Sequence, residues 1–186
     1  MIGVSVNTRL SARAYQLLRE RAPVAIARGL NKSGAQGKTV LVRAVATDLG
    51  IKQATVREKL HEEPAKSTKL VYRLSVSGKR IPLYEFKAKG RLPSRGQGSG
   101  VTAKLPGGAG RYPHAFLARM KSGHLGVFQR VDRRRLPIYE LFGPSLPKVV
   151  GRFARVFFAR ANEVMPKNLQ HEINFETSQI RKATAA

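Results

Sequence analysis

The sequence predicts an α+β fold with N-terminal helices, a small antiparallel β-sheet carrying a long basic loop, and a long C-terminal helix. Apolar residues recur at helical spacing between residues 10 and 18. Between residues 70 and 76 they alternate with polar residues, as in a half-buried strand. A helical stripe returns between residues 149 and 164. Helices, then strands, then a helix is the order of an α+β domain.

Three helices are expected in the first third of the chain. Pro23 should kink or restart the first of them. Residues 31–37 are predicted to form a loop, and the second helix follows over residues 38–49. Gly50 supplies a residue just past its end that can take a positive φ. A short third helix is expected over residues 53–61.

The middle of the chain is predicted to be a set of short strands. Residues 70–76 and 81–86 are expected to pair as a hairpin across the turn Ser77-Gly78. Pro82 cannot donate a ladder hydrogen bond, which moves its strand to a sheet edge. Four further strands are predicted, at residues 101–105, 114–120, 125–131 and 136–141.

The last third returns to helical spacing. Apolar residues from 149 to 164 form one stripe, and a weaker stripe follows Pro166, which should break or bend the helix. The predicted organisation is a single domain over residues 1–166, with a C-terminal helical extension or arm over 167–186. Within that domain three parts are expected: helices over 8–61, a sheet over 68–141 and a helix over 145–165.

The charge of the chain points to a polyanionic partner. Its 186 residues include 35 Lys and Arg against 11 Asp and Glu, a formal net charge of +24. A compact domain does not need this excess, because like charges repel and destabilise the folded state. Nucleic acid is the commonest polyanion, and phosphate contacts give affinity without sequence choice. The apolar fraction of 42% is enough for a core, so wholesale disorder is not expected.

One segment concentrates the positive charge. Residues 87–135 contain twelve Lys or Arg, nine Gly and a single acid, Asp132. Such a segment is expected to be either a flexible basic loop or an arm that orders on a partner, and a merely solvated loop is the alternative. Six of its cations are candidates for contact with DNA phosphates: Lys87, Lys89, Arg91, Arg95, Lys104 and Arg111.

A second segment resembles a helix-turn-helix. Residues 48–60 combine a helix end, a glycine turn and a second helix with polar and basic side chains. On that interpretation Lys52, Gln53, Thr55 and Arg57 would face DNA, and the chain would be a DNA-binding regulator. The alternative is two short packed helices joined at a glycine, as in many unrelated domains.

The sequence shows few groups of residues that could form an active site, and the chain is predicted not to be an enzyme. Its four histidines lie far apart without metal-ligand spacing, and it has no cysteine. Its few acids give little for a magnesium site of the nuclease kind, and no phosphate-binding P-loop motif occurs. No metal and no cofactor are expected. No apolar run approaches the length of a membrane span, and no signal peptide is visible at the N-terminus.

The segment from residue 122 to 145 combines a glycine turn, two short apolar strands and a Phe-Gly-Pro-Ser sequence before the last helix. With matching segments upstream, over about residues 20 to 155, it resembles the prophage minor tail protein Z family, the tail completion proteins of long-tailed bacteriophages. The residues that carry the resemblance are Gly123, Val127, Phe128, Leu136, Pro137, Ile138, Glu140, Leu141, Phe142, Gly143, Pro144 and Ser145.

The resemblance implies a structural virion protein at the head-proximal end of the tail. It implies a ring of copies, six by analogy with tail architecture, around the channel through which DNA leaves the head. The implied partners are the tail tube or tail terminator protein, the head-tail connector protein, and double-stranded DNA bound without sequence preference. No membrane is implied. The protein would lie in the upper tail or neck after assembly in the host cytoplasm, and the family brings no catalytic residues.

Overall fold

The computed structural model describes residues 12–90, 100–132, 134 and 136–185. It is a mixed α+β structure, as predicted. Its α-helices are α1 Ala12–Leu49, α2 Gln53–Glu58 and α3 Leu146–Ala185. Its strands are β1 Leu60–Glu63, β2 Arg73–Val76, β3 Lys89–Gly90, β4 Val101–Leu105, β5 Gly108–Tyr112, β6 Ala115–Arg119, β7 Leu125–Arg130 and β8 Ile138–Glu140. A short 3₁₀ helix spans Leu83–Glu85.

The chain divides into two compact units. Unit 1 comprises Met1–Lys38, Glu62–Arg73 and Phe157–Ala186, and unit 2 comprises Thr39–His61 and Leu74–Val156. Both long helices therefore contribute residues to both units. The expected organisation, a domain over residues 1–166 with a C-terminal extension, stays a prediction.

The first helix is continuous, and the loop predicted over residues 31–37 is wrong. Gly34 and Gly37 lie inside α1, and other residues of unit 1 pack against them at very short range. A Cβ on Gly34 would lie 2.5 Å from Cδ1 of Tyr72, and a Cβ on Gly37 would lie 2.9 Å from the carbonyl oxygen of Phe157. These glycines allow close approach, whereas the sequence pattern suggested chain flexibility.

Neither internal proline ends its helix. Pro23 lies inside α1 and Pro166 lies inside α3. A proline costs a helix interior about 3 kcal/mol, but tertiary packing overrides such preferences. In α3 the packing continues across the proline, because Ala161 before it and Ile180 well beyond it are both buried. The break predicted at Pro166 is therefore absent.

Unit 1 buries two glutamates on α3. Glu172 and Glu176 are only 4% and 2% exposed. Arg28 Nη1 lies 2.7 Å from Glu176 Oε1, and Arg21 Nη1 lies 3.2 Å from Glu176 Oε2. Lys32 pairs with Glu172. The three cations come from α1 and keep about half of each side chain in solvent. Replacing one of these cations with a neutral residue would leave a buried carboxylate without its full opposite charge. Breaking a buried ion pair from one side in this way strongly destabilises a fold.

A second polar cluster in unit 1 makes stability depend on pH. The Lys38 ammonium and the Tyr72 hydroxyl both donate to the Glu62 carboxylate, the latter at 2.8 Å. The hydrogen bond from Lys38, with a smaller one from Tyr72, lowers the pKa of Glu62 against the opposing effect of burial. Burial first, and then the bond to Glu62, raises the pKa of Tyr72.

We therefore expect part of the folding stability to disappear in acid. Because the pKa of Glu62 is lower in the folded than in the unfolded chain, its contribution is complete above the unfolded value, about 4.3, and is lost as pH falls through the folded value. Glu62→Gln should lower the melting temperature at pH 7 and flatten its decline below pH 5. Glu63→Gln, whose carboxylate is more exposed, is the matched control. Parallel melting curves for all three proteins from pH 7 to pH 3 would contradict the role of Glu62.

Unit 2 contains two three-stranded antiparallel sheets, with strand orders β3-β4-β5 and β6-β7-β8. Strand β1 pairs with β2 in a separate two-stranded sheet. The strands predicted over residues 101–141 are confirmed as β4, β6, β7 and β8. The turn at Ser122-Gly123 is also confirmed, with Gly123 at φ 83°. Of the 38 residues of the basic segment 87–135 that the structure describes, 23 lie in strands β3 to β7.

The predicted hairpin between residues 70–76 and 81–86 is wrong. Strand β2 pairs with β1, and Pro82 instead forms a bridge with Phe142. Leu83 N donates to Leu141 O and Gly143 N donates to Ile81 O, both at 2.8 Å. These bonds flank the bridged pair, so the position of Pro82 needs no N–H. The proline is tolerated for that reason.

Candidate nucleic-acid interface

The three-stranded sheet β3-β4-β5 presents cations on one exposed face. Lys89 on β3 lies opposite Thr102 on β4, and Thr102 lies opposite Arg111 on β5. All three residues are exposed. Neighbouring strands lie about 4.8 Å apart, so Lys89 and Arg111 stand about 10 Å apart across the sheet. Side chains of registered residues share a face, which brings these two cations together with a hydroxyl between them.

Lys104 extends the same face along β4. It lies two residues beyond Thr102, about 7 Å along the strand, and it is exposed. The intervening Ala103 and the preceding Val101 point to the other side of the sheet, where they are 2% and 1% exposed. We call Lys89, Lys104 and Arg111, with Thr102 between them, the cationic sheet face.

No carboxylate belongs to these three strands, whose sequences contain no Asp or Glu. Unit 2 as a whole holds 21 Lys and Arg against 5 Asp and Glu. The cations of this face are therefore available to an external anion. Two lysines and an arginine are typical donors to phosphate oxygens, whereas the Thr102 hydroxyl donates to the Lys89 carbonyl oxygen at 3.4 Å.

The remaining phosphate-contact candidates precede β3 or fall outside the described residues. Lys87 precedes β3, is exposed, and has a left-handed backbone with φ 53°. It lines a pocket of about 260 Å³ together with Lys52 and Glu85. Arg91 and Arg95 fall among the residues that the structure does not describe.

The helix-turn-helix-like segment forms a short helix packed within unit 2. Gly50 ends α1 with φ 66°, as predicted, but α2 spans only Gln53–Glu58 and not residues 53–61. A helix of 6 residues is about 9 Å long, and β1 begins two residues later. Thr55 Oγ1 donates to Glu85 Oε2 at 2.8 Å. Three candidates remain exposed on this segment: Lys52, Gln53 and Arg57. The geometry favours the interpretation of two packed helices joined at a glycine.

The residues singled out around the Phe-Gly-Pro-Ser sequence form part of the framework of unit 2. Val127 and Phe128 are buried at the centre of β7, with exposures of 0% and 6%. Leu141 N donates to Val127 O at 2.8 Å. A Cβ on Gly143 would lie 2.3 Å from Cε2 of Phe86, whose ring is fully buried. The glycine is therefore required for close packing against Phe86.

Other residues of this set lie at the surface of the β6-β7-β8 sheet. Glu140 on β8 bonds His124 Nε2 through Oε1 at 2.8 Å, and a Cβ on Gly126 would lie 2.8 Å from the same Oε1. Leu136 is 65% exposed and precedes Pro137 through a cis peptide bond. The chain passes from β8, which contains Ile138, through Phe142, Pro144 and Ser145 to the start of α3 at Leu146.

Within the described part of the chain, no group of three or more His, Asp or Glu side chains is placed to hold a metal ion. Among the described helices, none is both long and apolar enough to cross a membrane.

Comparison with known proteins gives one family. The model of the family described as Prophage minor tail protein Z (GPZ) matches residues 12–183. No curated protein matches the chain, and no solved structure matches it. The family match extends beyond the region of resemblance at both ends and covers nearly all of the 186 residues.

Proposed function

The chain belongs to the prophage minor tail protein Z family, and we propose that it completes the head-proximal end of a phage tail as a ring around the DNA channel. Membership confirms the predicted family and makes the chain a structural protein of the virion tail. Such a role points to a non-enzymatic protein. In this proposal, copies of the chain contact one another in the ring. The ring contacts the tail tube or tail terminator protein on one side and the head-tail connector on the other.

The cationic sheet face is the observation that carries the proposal. A channel through which DNA must slide needs phosphate contacts and no base readout, because contacts to base edges would fix one sequence in place. Lys89, Lys104 and Arg111 could provide such contacts from one face of a three-stranded sheet. Cations that contact phosphates carry no base readout, so sequence-blind double-stranded DNA is the ligand that this face suits.

The regulator alternative has less support. A recognition helix must lie in the major groove with several side chains on base edges. Helix α2 offers less than two turns, and one of its candidate side chains, Thr55, is bonded to Glu85. We therefore do not propose sequence-specific DNA recognition for the segment from Lys52 to Arg57.

Imaging of assembled particles tests the position. Phage tails made with and without the chain should differ by a density of rotational symmetry at the head-proximal end of the tail. Heads and tails produced without it should fail to give infectious joined particles, and supplying the unaltered chain should restore them. If the density lay at the distal tip, or if purified virions lacked the chain, the proposal would be wrong.

A further inference from the structure

Unit 2 contains an apolar pocket that is separate from the residues of the cationic sheet face. It has a volume of about 360 Å³ and is walled by three separate elements. Leu105 ends β4 and Pro106 follows it in the turn to β5, Phe142–Pro144 come from the segment before α3, and Val149 and Arg152 come from the first turns of α3. A volume of this size accommodates one or two large apolar side chains, at the lower end of the range of small-molecule sites.

Arg152 is the charged residue of the lining. Its Nη2 donates to Asp48 Oδ2 at 2.9 Å, and 62% of the side chain remains exposed. A guanidinium has five N–H donors, so Arg152 can hold Asp48 and bind a second carboxylate at the pocket mouth. Phe142, which is 45% exposed, forms part of the apolar wall. The pocket therefore combines an apolar interior with a cation at its edge.

The pocket and the cationic sheet face belong to opposite sides of the same strand. Side chains alternate along β4, so Leu105 points with Val101 and Ala103, away from Lys104 and Thr102. DNA on the cationic face would leave the pocket open. The apolar walls of the pocket offer no hydrogen-bond donors to a phosphodiester, so the pocket suits a ligand other than DNA.

We propose that this pocket is a docking socket for another protein of the particle, which inserts an apolar side chain flanked by carboxylates. This rests on the proposed function in that it assigns the chain a protein neighbour. Charge complementarity selects the chemistry of that neighbour, because Arg152 lies at the mouth of the socket in a unit with 21 basic residues against 5 acidic ones. An acidic segment gains both a burial site for its apolar side chain and a bidentate partner for its carboxylate.

A second copy of the chain fits less well. Among its described residues, Val131 and Leu136 are the two most exposed large apolar side chains, and they lie at the ends of a connection rich in arginine. Residues 130–135 hold four arginines and one aspartate, and Asp132 Oδ1 already accepts a bond from the backbone N–H of Arg134 at 2.7 Å. Inserting this connection would bring cations to Arg152.

Defined peptides test the socket on the full-length protein. The probes are two capped pentapeptides, Asp-Leu-Phe-Leu-Asp and Lys-Leu-Phe-Leu-Lys, titrated while backbone amide signals are followed by NMR. We expect the acidic peptide to bind at least about tenfold more tightly and to shift the signals of Leu105 and Gly143. Arg152→Gln should lower its affinity about tenfold, the reduction typical of removing a charge-assisted bond. Arg155→Gln, one turn further along α3 and also exposed, should change it little.

Phe142→Ser separates docking from folding, because it removes an exposed part of the wall without touching the pair between Arg152 and Asp48. It too should weaken the acidic peptide, and a retained, dispersed amide spectrum would show that the variant is still folded. Equal affinity for the two peptides, signal shifts confined to other parts of the chain, or self-association abolished in Phe142→Ser would each overturn the socket proposal. None of these results would bear on the position of the chain in the particle, which imaging decides separately.

Discussion

Alanine at Gly34 or Gly37 should destabilise the protein, although glycine-to-alanine changes inside a helix normally stabilise. The usual gain is about 1 kcal/mol. Here the new methyl group would lie 2.5 Å from the ring of Tyr72 or 2.9 Å from the backbone oxygen of Phe157. Neither neighbour can yield easily, since Tyr72 is held by Glu62 and stacks on Phe157, and a helix backbone does not move alone. Overpacking of this kind costs about 1–3 kcal/mol, which outweighs the gain.

Gly151 on α3 is the matched control. It lies inside a helix as Gly34 and Gly37 do, but a Cβ there meets no atom within 4 Å. Gly151→Ala should therefore raise the melting temperature, while Gly34→Ala and Gly37→Ala should lower it. Thermal unfolding followed by circular dichroism measures all three. A rise in all three variants would show that Gly34 and Gly37 do not make close contacts with Tyr72 and Phe157.

The glycines also mark the limit of what the sequence predicts. Local signals succeeded where the physical cause is local: Gly50 ends α1 with a positive φ, and Gly123 turns β6 into β7. Gly34 and Gly37 carry the same chemical signal for a different reason, because their partners Tyr72 and Phe157 lie far along the chain. The pattern of residues 31–37 carries no information about the side chains of Tyr72 and Phe157 that pack against them. The sequence therefore predicted a loop where the structure has a helix.

Strand pairing shows the same division. The existence of β4, β6, β7 and β8 follows from short apolar alternation between turn residues. The pairing of β2 with β1 does not, because β1 is a four-residue strand of sequence Leu-His-Glu-Glu that looks like the end of a helix. Likewise Pro82 was placed at a sheet edge, but its bridge to Phe142 depends on hydrogen bonds made by its neighbours.

The candidate interface was predictable in composition and not in arrangement. Six cations of the basic segment were singled out by charge alone. Only the register Lys89–Thr102–Arg111 shows that two of them stand across one sheet from each other, and only the alternation along β4 adds Lys104. Lys87 precedes the registered residues of β3 and lines a pocket with Lys52. Thr102 was not predicted, since an uncharged residue gives no signal in a count of charges.

Neutralising the cationic sheet face should remove most of a measurable DNA affinity. For the triple variant Lys89→Gln, Lys104→Gln, Arg111→Gln we expect the slope of log K against log salt to become shallower by about 2.7, which is about 0.9 for each phosphate that the variant no longer neutralises. At 0.1 M salt that corresponds to an affinity lower by a few hundred-fold. The melting temperature should hold, because all three side chains are exposed and their strands are anchored from the other face by Val101 and Ala103.

The control for this face is a triple variant with the same reduction of charge in the same unit. Lys79→Gln, Lys148→Gln and Arg155→Gln remove three exposed cations that lie off the β3-β4-β5 sheet. Filter binding to two duplexes of unrelated sequence should show a much smaller change in slope for this control, and equal affinity of the unaltered protein for both duplexes. Equal reductions in the two triple variants would mean that charge acts diffusely over the surface. A preference of several kcal/mol for one duplex would instead restore the regulator hypothesis, because sliding contacts to phosphates cannot generate it.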